Sequence, residues 1–221
     1  QGGSEFEIHG LSDASKKAVC AAINTVEYQG TEPVNQSLLV AKSRVTPKDT
    51  SVPRLESTAA VTVAKLHSNV LKALKAQPIR SLHHWVDSLT VLYWLGNKGT
   101  CSAFVRNRVK KIKELEEVDW RYVPTNDNPS DLGARGAAPD KLGNLWYKGP
   151  GWLQKHDQWP EQPEIKETTD SKQKLASKRT LVKQGVERDL EMINSMLAKF
   201  TYRNTCYVLL KMRGKKNYMV L

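Results

Sequence analysis

Three runs that read as strands open the chain, FEIHGLSDAS, AVCAAINTVEY and NQSLLVAKSRVTP, and the links between them are too short to hold a crossover helix. Strands joined this tightly run antiparallel, with one reversal at Gly30, Thr31, Glu32 and Pro33, so the chain is expected to begin as a meander. After the loop from Pro47 to Pro53 the pattern changes. Leu55, Ala59, Val63, Leu66, Val70 and Leu74 follow the three-to-four spacing of a helix packed on one face, starting near Pro53. RSLHHWVDS then reads as a short strand, and SLTVLYWLGN as a short helix stopped by glycine. FVRNRVKKIKELEE places Phe104, Val105, Val109, Ile112 and Leu115 on the apolar side of another helix. DWRYVPT reads as a strand, and NPSDLGARG as a helix start with Asn128 at the cap, Pro129 first and Asp131 in the first turn. A meander followed by alternating strands and helices predicts an α/β domain built on a mixed sheet.

Beyond GPGWL the composition shifts. Residues 154–180 are polar and charged, with two prolines, as expected of a linker. From 181 an apolar pattern returns at Leu181, Val186, Leu190, Ile193, Leu197 and Phe200, which predicts a small basic helical segment over 181–221. The opening QGGSEF, residues 1–6, reads as a protease and cloning scar and is set outside the fold. The net charge of +11 favours polyanionic partners, and the shorter tail is the more densely basic part. Cys20, Cys101 and Cys206 are widely spaced without a CxxC pair, so neither a disulfide framework nor a cysteine zinc site is indicated, and a reducing compartment fits. Without a long apolar run or a signal-peptide layout, a soluble chain that is not secreted and has no membrane partner is expected.

In HHWVDSLTVLYWL a single acid, Asp87, interrupts an apolar stretch, and a buried acid needs a partner or a cation. Three other acids sit at element ends that such a sheet brings together: Asp13 ending the first strand, Glu56 in the first turn of the long helix, and Asp131 starting the last. Four carboxylates at one edge repel unless cations lie between them, and hard divalent ions favour oxygen ligands of this kind. Each acid also has a structural explanation: Asp13 in a turn, Glu56 and Asp131 at helix N-termini, and Asp87 as the cap of a helix beginning at Ser88.

HGLSDASKKAVCAAI, LLVAKSRVTP, PRLESTAAVTVAKL, WVDSLTVLYWL, FVRNRVKKIKEL and WRYVPTNDNPSDLGARG, in this order and trailed by WYKGPGWL, resemble the ribonuclease H domain of BEL/Pao-type retrotransposon polyproteins over residues 7–153. The resemblance implies a ribonuclease H-like mixed five-stranded sheet flanked by helices, followed by the small C-terminal helical extension. It implies an endonuclease that cuts the RNA strand of RNA:DNA hybrids during reverse transcription, with two Mg2+ or Mn2+ ions per site. Asp13, Glu56, Asp87 and Asp131 would be the catalytic and metal-binding residues, with Asp13 and Asp87 central. The expected partners are the hybrid and the reverse transcriptase and integrase regions of the same polyprotein, inside the cell in a cytoplasmic particle or the nucleus. Many relatives carry a histidine in the loop before the last aspartate. VPTNDNPSD has none there, which leaves Asn126, Asp127 or Arg135 to take its place. Two other classes are kept beside the nuclease. One is a retroelement-derived module that binds nucleic acid or protein with weak or lost catalysis. The other is an integrase-type transferase, against which Glu56 on the first long helix and a fourth carboxylate argue.

Arg106, Arg108, Lys110, Lys111 and Lys113 form either a solvated helix face or a cradle for the hybrid backbone. His83 and His84, being adjacent on a strand, point to opposite faces and cannot easily share a metal. His9, His67 and His156 lack ligand spacing. The tryptophans fit core packing, with Trp146 and Trp152 closing the fold against the sheet.

Overall fold

In a computed structural model of the chain, residues 3–47, 49–96, 101–114, 118–164 and 208–210 are described. β1 (Glu5–Ala14), β2 (Ala18–Gln29) and β3 (Glu32–Val45) form the antiparallel meander. β4 (Ile79–Val86) lies parallel to β1 on its other side, and β5 (Asp119–Tyr122) lies parallel to β4. The order β5, β4, β1, β2, β3 makes a mixed five-stranded, helix-flanked sheet, the architecture that the resemblance implies. β1 sits between two neighbours and under two covered faces, and from Glu7 onward every residue of it is buried.

α1 (Val52–Ala73) covers one face. Its spaced apolar residues Val63, Leu66 and Val70 pack on Ile8, Ala21 and Ile23, each full burial contributing about 1.5–3 kcal/mol. Gly10 allows the close approach: a Cβ there would stand 2.7 Å from Val63 and 2.5 Å from the His84 ring. α2 (Leu89–Leu95) and α3 (Ala103–Lys113) close the β4 end, where Val86, Val91, Leu92 and Ile112 form a second cluster with Ala60 and Ala64.

The opposite face carries α4 (Pro129–Arg135) and α5 (Asn144–Lys148), with Trp146 on Cys20, Ala22 and Ala41 as expected. A Cβ at Gly133 would collide with the Cys20 sulfur, so a side chain there would push α4 off β2. Leu153 and Trp152 pack with Leu11 and Trp85 on the same face.

The histidines do point to opposite faces, and each finds a partner from elsewhere in the chain. His84 meets His67 of α1, and His83 stacks on His9 at 5.2 Å between ring centroids. The Trp85 indole donates to His9 Nδ1 at 3.2 Å, which leaves the His9 proton on Nε2, 3.6 Å from buried Glu7. Glu7 also accepts from Tyr28 Oη at 3.1 Å and from His156 Nε2 at 3.0 Å. Burial would push its carboxyl up, but the two imidazoles outweigh burial and hold it at about 2.

Three expectations are corrected. Glu5 and Phe6, set aside as scar, belong to β1 and pair with Tyr28 and Glu27, since strand pairing asks only for backbone. Residues 154–164, expected to begin a linker, continue the fold: Trp159 packs edge-on against Trp85 and His83, and His156 reaches Glu7. Composition hid this because a few aromatic anchors among polar residues suffice to hold a strap. Val208–Leu210, expected in a helix, is a short strand β6 parallel to Ala41–Ser43 of β3, whose outer edge offers unpaired backbone groups. The remainder of the expected linker and helical extension, 165–207 and 211–221, lies outside the described residues.

Gly133→Ala is expected to cost about 1–3 kcal/mol in urea unfolding, and Cys20→Ala in the same chain to recover part of it. Equal stability of wild type and Gly133→Ala would mean that α4 does not rest on β2 at this point.

Candidate active site

β1 and β4 are parallel neighbours, with Leu11 opposite Trp85 and Ser12 opposite Val86. One residue further along each strand stand Asp13 and Asp87. Alternation puts both on the face that carries Leu11 and Trp85. Asp13 is 8% exposed and Asp87 half-buried, so two neighbouring carboxylates are partly withdrawn from water.

Two further acids come from helices. α1 begins at Val52, so Glu56 lies in its second turn, not the first as expected, and a helix N-terminus does not account for it. Its Oε2 accepts from Ser88 Oγ at 2.7 Å. The same Ser88 hydroxyl caps α2 by accepting from Val91 N at 3.2 Å, so Ser88 does the capping that Asp87 had been weighed for. Asp131 stands in the first turn of α4, as expected. Asn128 caps that helix and donates to Ser12 O at 3.1 Å, while Ser130 Oγ donates to Leu11 O at 2.8 Å. These two bonds dock α4 on β1 beside Asp13.

All four carboxylates line one open cavity of about 410 Å³, together with Ser15, Thr125 and Arg135. Arg135 Nε donates to Asp131 Oδ1 at 2.6 Å. Burial, then the charges of Asp87 and Asp131, raise the Asp13 carboxyl to about 7. Burial likewise raises Asp87, while the nearby Thr125 side chain favours its charged form. Among the described residues no three His, Cys, Asp or Glu side chains are placed to hold one ion as they stand, and Glu56 and Asp131 are engaged by Ser88 and Arg135. The donor set, four carboxylates with two held above their usual range, is nevertheless what hard divalent cations fit.

The basic residues divide. Arg106, Lys110, Lys111 and Lys113 are exposed on α3, with Lys110 paired to Glu114 at 3.8 Å. Arg108 lies against α1, donating to Thr58 Oγ1 at 3.2 Å and standing 3.4 Å over the Phe104 ring. Burial and the charges of Arg44 and Arg54 lower its pKa. Those two arginines were not singled out in the sequence. Arg54, two residues before Glu56, offered a local signal, whereas Arg44 reaches the group only through the placing of β3.

Residues 1–88 match the family model described as the Pao retrotransposon-like RNaseH-like domain, the family that the sequence strings resemble. No curated protein matches the chain. Among solved structures it is similar to ribonuclease H1 of the halophilic archaeon Halobacterium salinarum, at 17% identity over 61% of this chain and 98% of that one, with a TM-score of 0.43. It is similar to the N-terminal ribonuclease H domain of Rv2228c from Mycobacterium tuberculosis, solved as a maltose-binding-protein fusion, at 10% identity over 60% and 92%, TM-score 0.41. It is also similar to LC11-RNase H1, solved in complex with RNA/DNA hybrid, at 14% identity over 62% and 99%, TM-score 0.39.

A carboxyl raised on folding carries a proton that the unfolded chain releases. Its favourable contribution is complete below the ordinary value of 3.8 and is lost as pH rises through about 7. Asp13→Asn is therefore expected to stabilise the protein by about 1–3 kcal/mol at pH 8 without divalent ions, and by less at pH 5. Urea unfolding at both pH values measures this, and a destabilisation at pH 8 would contradict the raised carboxyl.

Proposed function

We propose that the chain is a metal-dependent ribonuclease H that cleaves the RNA strand of RNA:DNA hybrids during reverse transcription of a Pao-type retrotransposon. The observation that carries this reading is the meeting of Asp13, Glu56, Asp87 and Asp131 in one cavity, at the ends of two adjacent parallel strands and on two helices. Asp13 and Asp87 are the central ligands for two Mg2+ or Mn2+ ions, with Glu56 on one side and Asp131 on the other. When bound, the ions supply charge neutralisation, activation of water and stabilisation of the leaving oxygen in phosphodiester hydrolysis. Ser88 and Asn128 keep Glu56 and α4 in place at the cavity.

The α3 lysines and arginines hold the hybrid by its phosphates without reading sequence. Arg44 and Arg54, whose charges act on Arg108, extend that surface. Its natural partners are the reverse transcriptase and integrase regions of the same polyprotein, with 181–221 leading toward integrase, and it works inside the cell in a cytoplasmic particle or the nucleus. A binding module with lost catalysis is the second reading. What favours it is Arg135, a protein cation already paired with Asp131.

A labelled RNA:DNA hybrid incubated with magnesium or manganese, beside single-stranded RNA and duplex controls, separates the two. Asp87→Asn is expected to lower cleavage by about a thousandfold or more while leaving the hybrid Kd within about threefold; cleavage by the variant at wild-type rate rejects the assignment. Neutralising Arg106, Lys110 and Lys111 together should raise Kd and reduce the slope of log K against log salt by about 1–3. An unchanged slope removes α3 from the interface.

A further inference from the structure

Thr125 begins the 3-10 turn Thr125–Asp127 between β5 and α4, in the loop that lacks a histidine. Val123 N donates to Val86 O at 3.0 Å, which carries the β4–β5 pairing one residue further and releases the loop beside Asp87. The Thr125 side chain lines the acidic cavity beside Asp87 and favours the charged form of its carboxylate. The turn is closed by Asp127 N to Pro124 O at 2.9 Å and Asn128 N to Thr125 O at 3.1 Å.

Its outer side is held from a distant part of the chain. Trp152 Nε1 donates to Asp127 Oδ2 at 3.0 Å, and the Trp152 ring stands edge-on to Trp85 at 4.8 Å. Trp85 and Asp87 are alternate residues on one face of the sheet. Trp152 thus touches both the strand that carries Asp87 and the turn that carries Thr125. The strap after Trp152 is anchored in turn by His156 on Glu7 and by Trp159 on His83 and Trp85.

We propose that Thr125 is a positioning residue that orients the Asp87 carboxylate toward the cavity, and that the Trp152–Asp127 hydrogen bond holds Thr125 in place to do so. A carboxylate on a strand end turns freely about its last bond. A hydroxyl donating to one of its oxygens selects one rotamer and leaves the other oxygen facing the cavity. This inference rests on the reading of the cavity as a nuclease site, and it gives the strap a part in that site which no acid on the strap supplies.

The test uses the full chain with hybrid cleavage and with calorimetric titration of Mn2+ alone. Thr125→Val, which keeps the shape and removes the hydroxyl, is expected to lower kcat about tenfold with KM within about twofold, and to weaken Mn2+ binding several-fold. Thr125→Ser is expected to recover most of both. Trp152→Phe, which keeps a ring on Trp85 and removes the donor, should lower kcat in the same sense, and Asp127→Asn, which keeps an acceptor, should do so less than Asp127→Ala. Because Trp152 acts through Thr125, the Thr125→Val, Trp152→Phe double variant should be no slower than Thr125→Val alone. Wild-type kcat and Mn2+ affinity in Thr125→Val overturn the positioning role, and multiplying penalties in the double variant overturn the tether. A wild-type chain that cleaves no hybrid defeats the nuclease reading instead, while the Mn2+ titration still reports on Thr125.

Discussion

Ending two parallel neighbour strands in aspartate on the same face places like charges side by side where burial already disfavours them. Register and alternation bring Asp13, and Asp87 one residue past the end of β4, to neighbouring positions. Much of the surrounding structure answers to that constraint. Backbone and hydroxyl donors, the Ser88 contact to Glu56 and the Arg135 contact to Asp131 each ease part of the concentration of negative charge. Burial first, and the neighbouring charges after it, still raise the Asp13 and Asp87 carboxyls. On the reading proposed above, bound cations would offset the cost of confining these anions.

The first five strands and four of the helices were legible in the sequence because periods of two and three-to-four residues report directly on which face is buried. Asn128 and Pro129 announced α4, and Gly96 the end of α2. Asp87 was legible as an oddity, and its capping alternative fell once Ser88 was seen to fill the cap. Less legible were features carried by single residues at long sequence separation. Nothing local in Gly133 says that it faces Cys20, and Thr125 lies in a loop where composition points only to a turn. The histidines are the sharpest case. Their spacing is uninformative along the chain, yet His9 pairs with His83 and His67 with His84 across the sheet, because packing joins residues that periodicity can only sort into faces.

The C-terminal strap shows a different limit. Averaged over 154–164, prolines and charges outweigh the apolar residues, and the average says linker. Folding responds to individual contacts: Trp159 fills the space over Trp85 and His83, and Glu7, buried on the central strand, requires donors that His156 supplies together with Tyr28. A buried carboxylate on β1 thus recruits a segment about 150 positions away, and the strap it recruits passes the loop beside the acidic cavity.

At the far side of the sheet the chain stops adding strands and adds a side chain. Gln162 receives the Tyr122 N–H on its Oε1 at 2.7 Å and donates its Nε2 to Tyr122 O at 3.3 Å, taking the place a neighbouring strand would have along β5. An open strand edge is a template on which any extended peptide can assemble, including another copy of the same molecule. With only four residues in β5 and one of them occupied on both its backbone groups, a second copy would have to expel Gln162 before it could dock. That single amide guards the edge of β5 against another copy of the sheet.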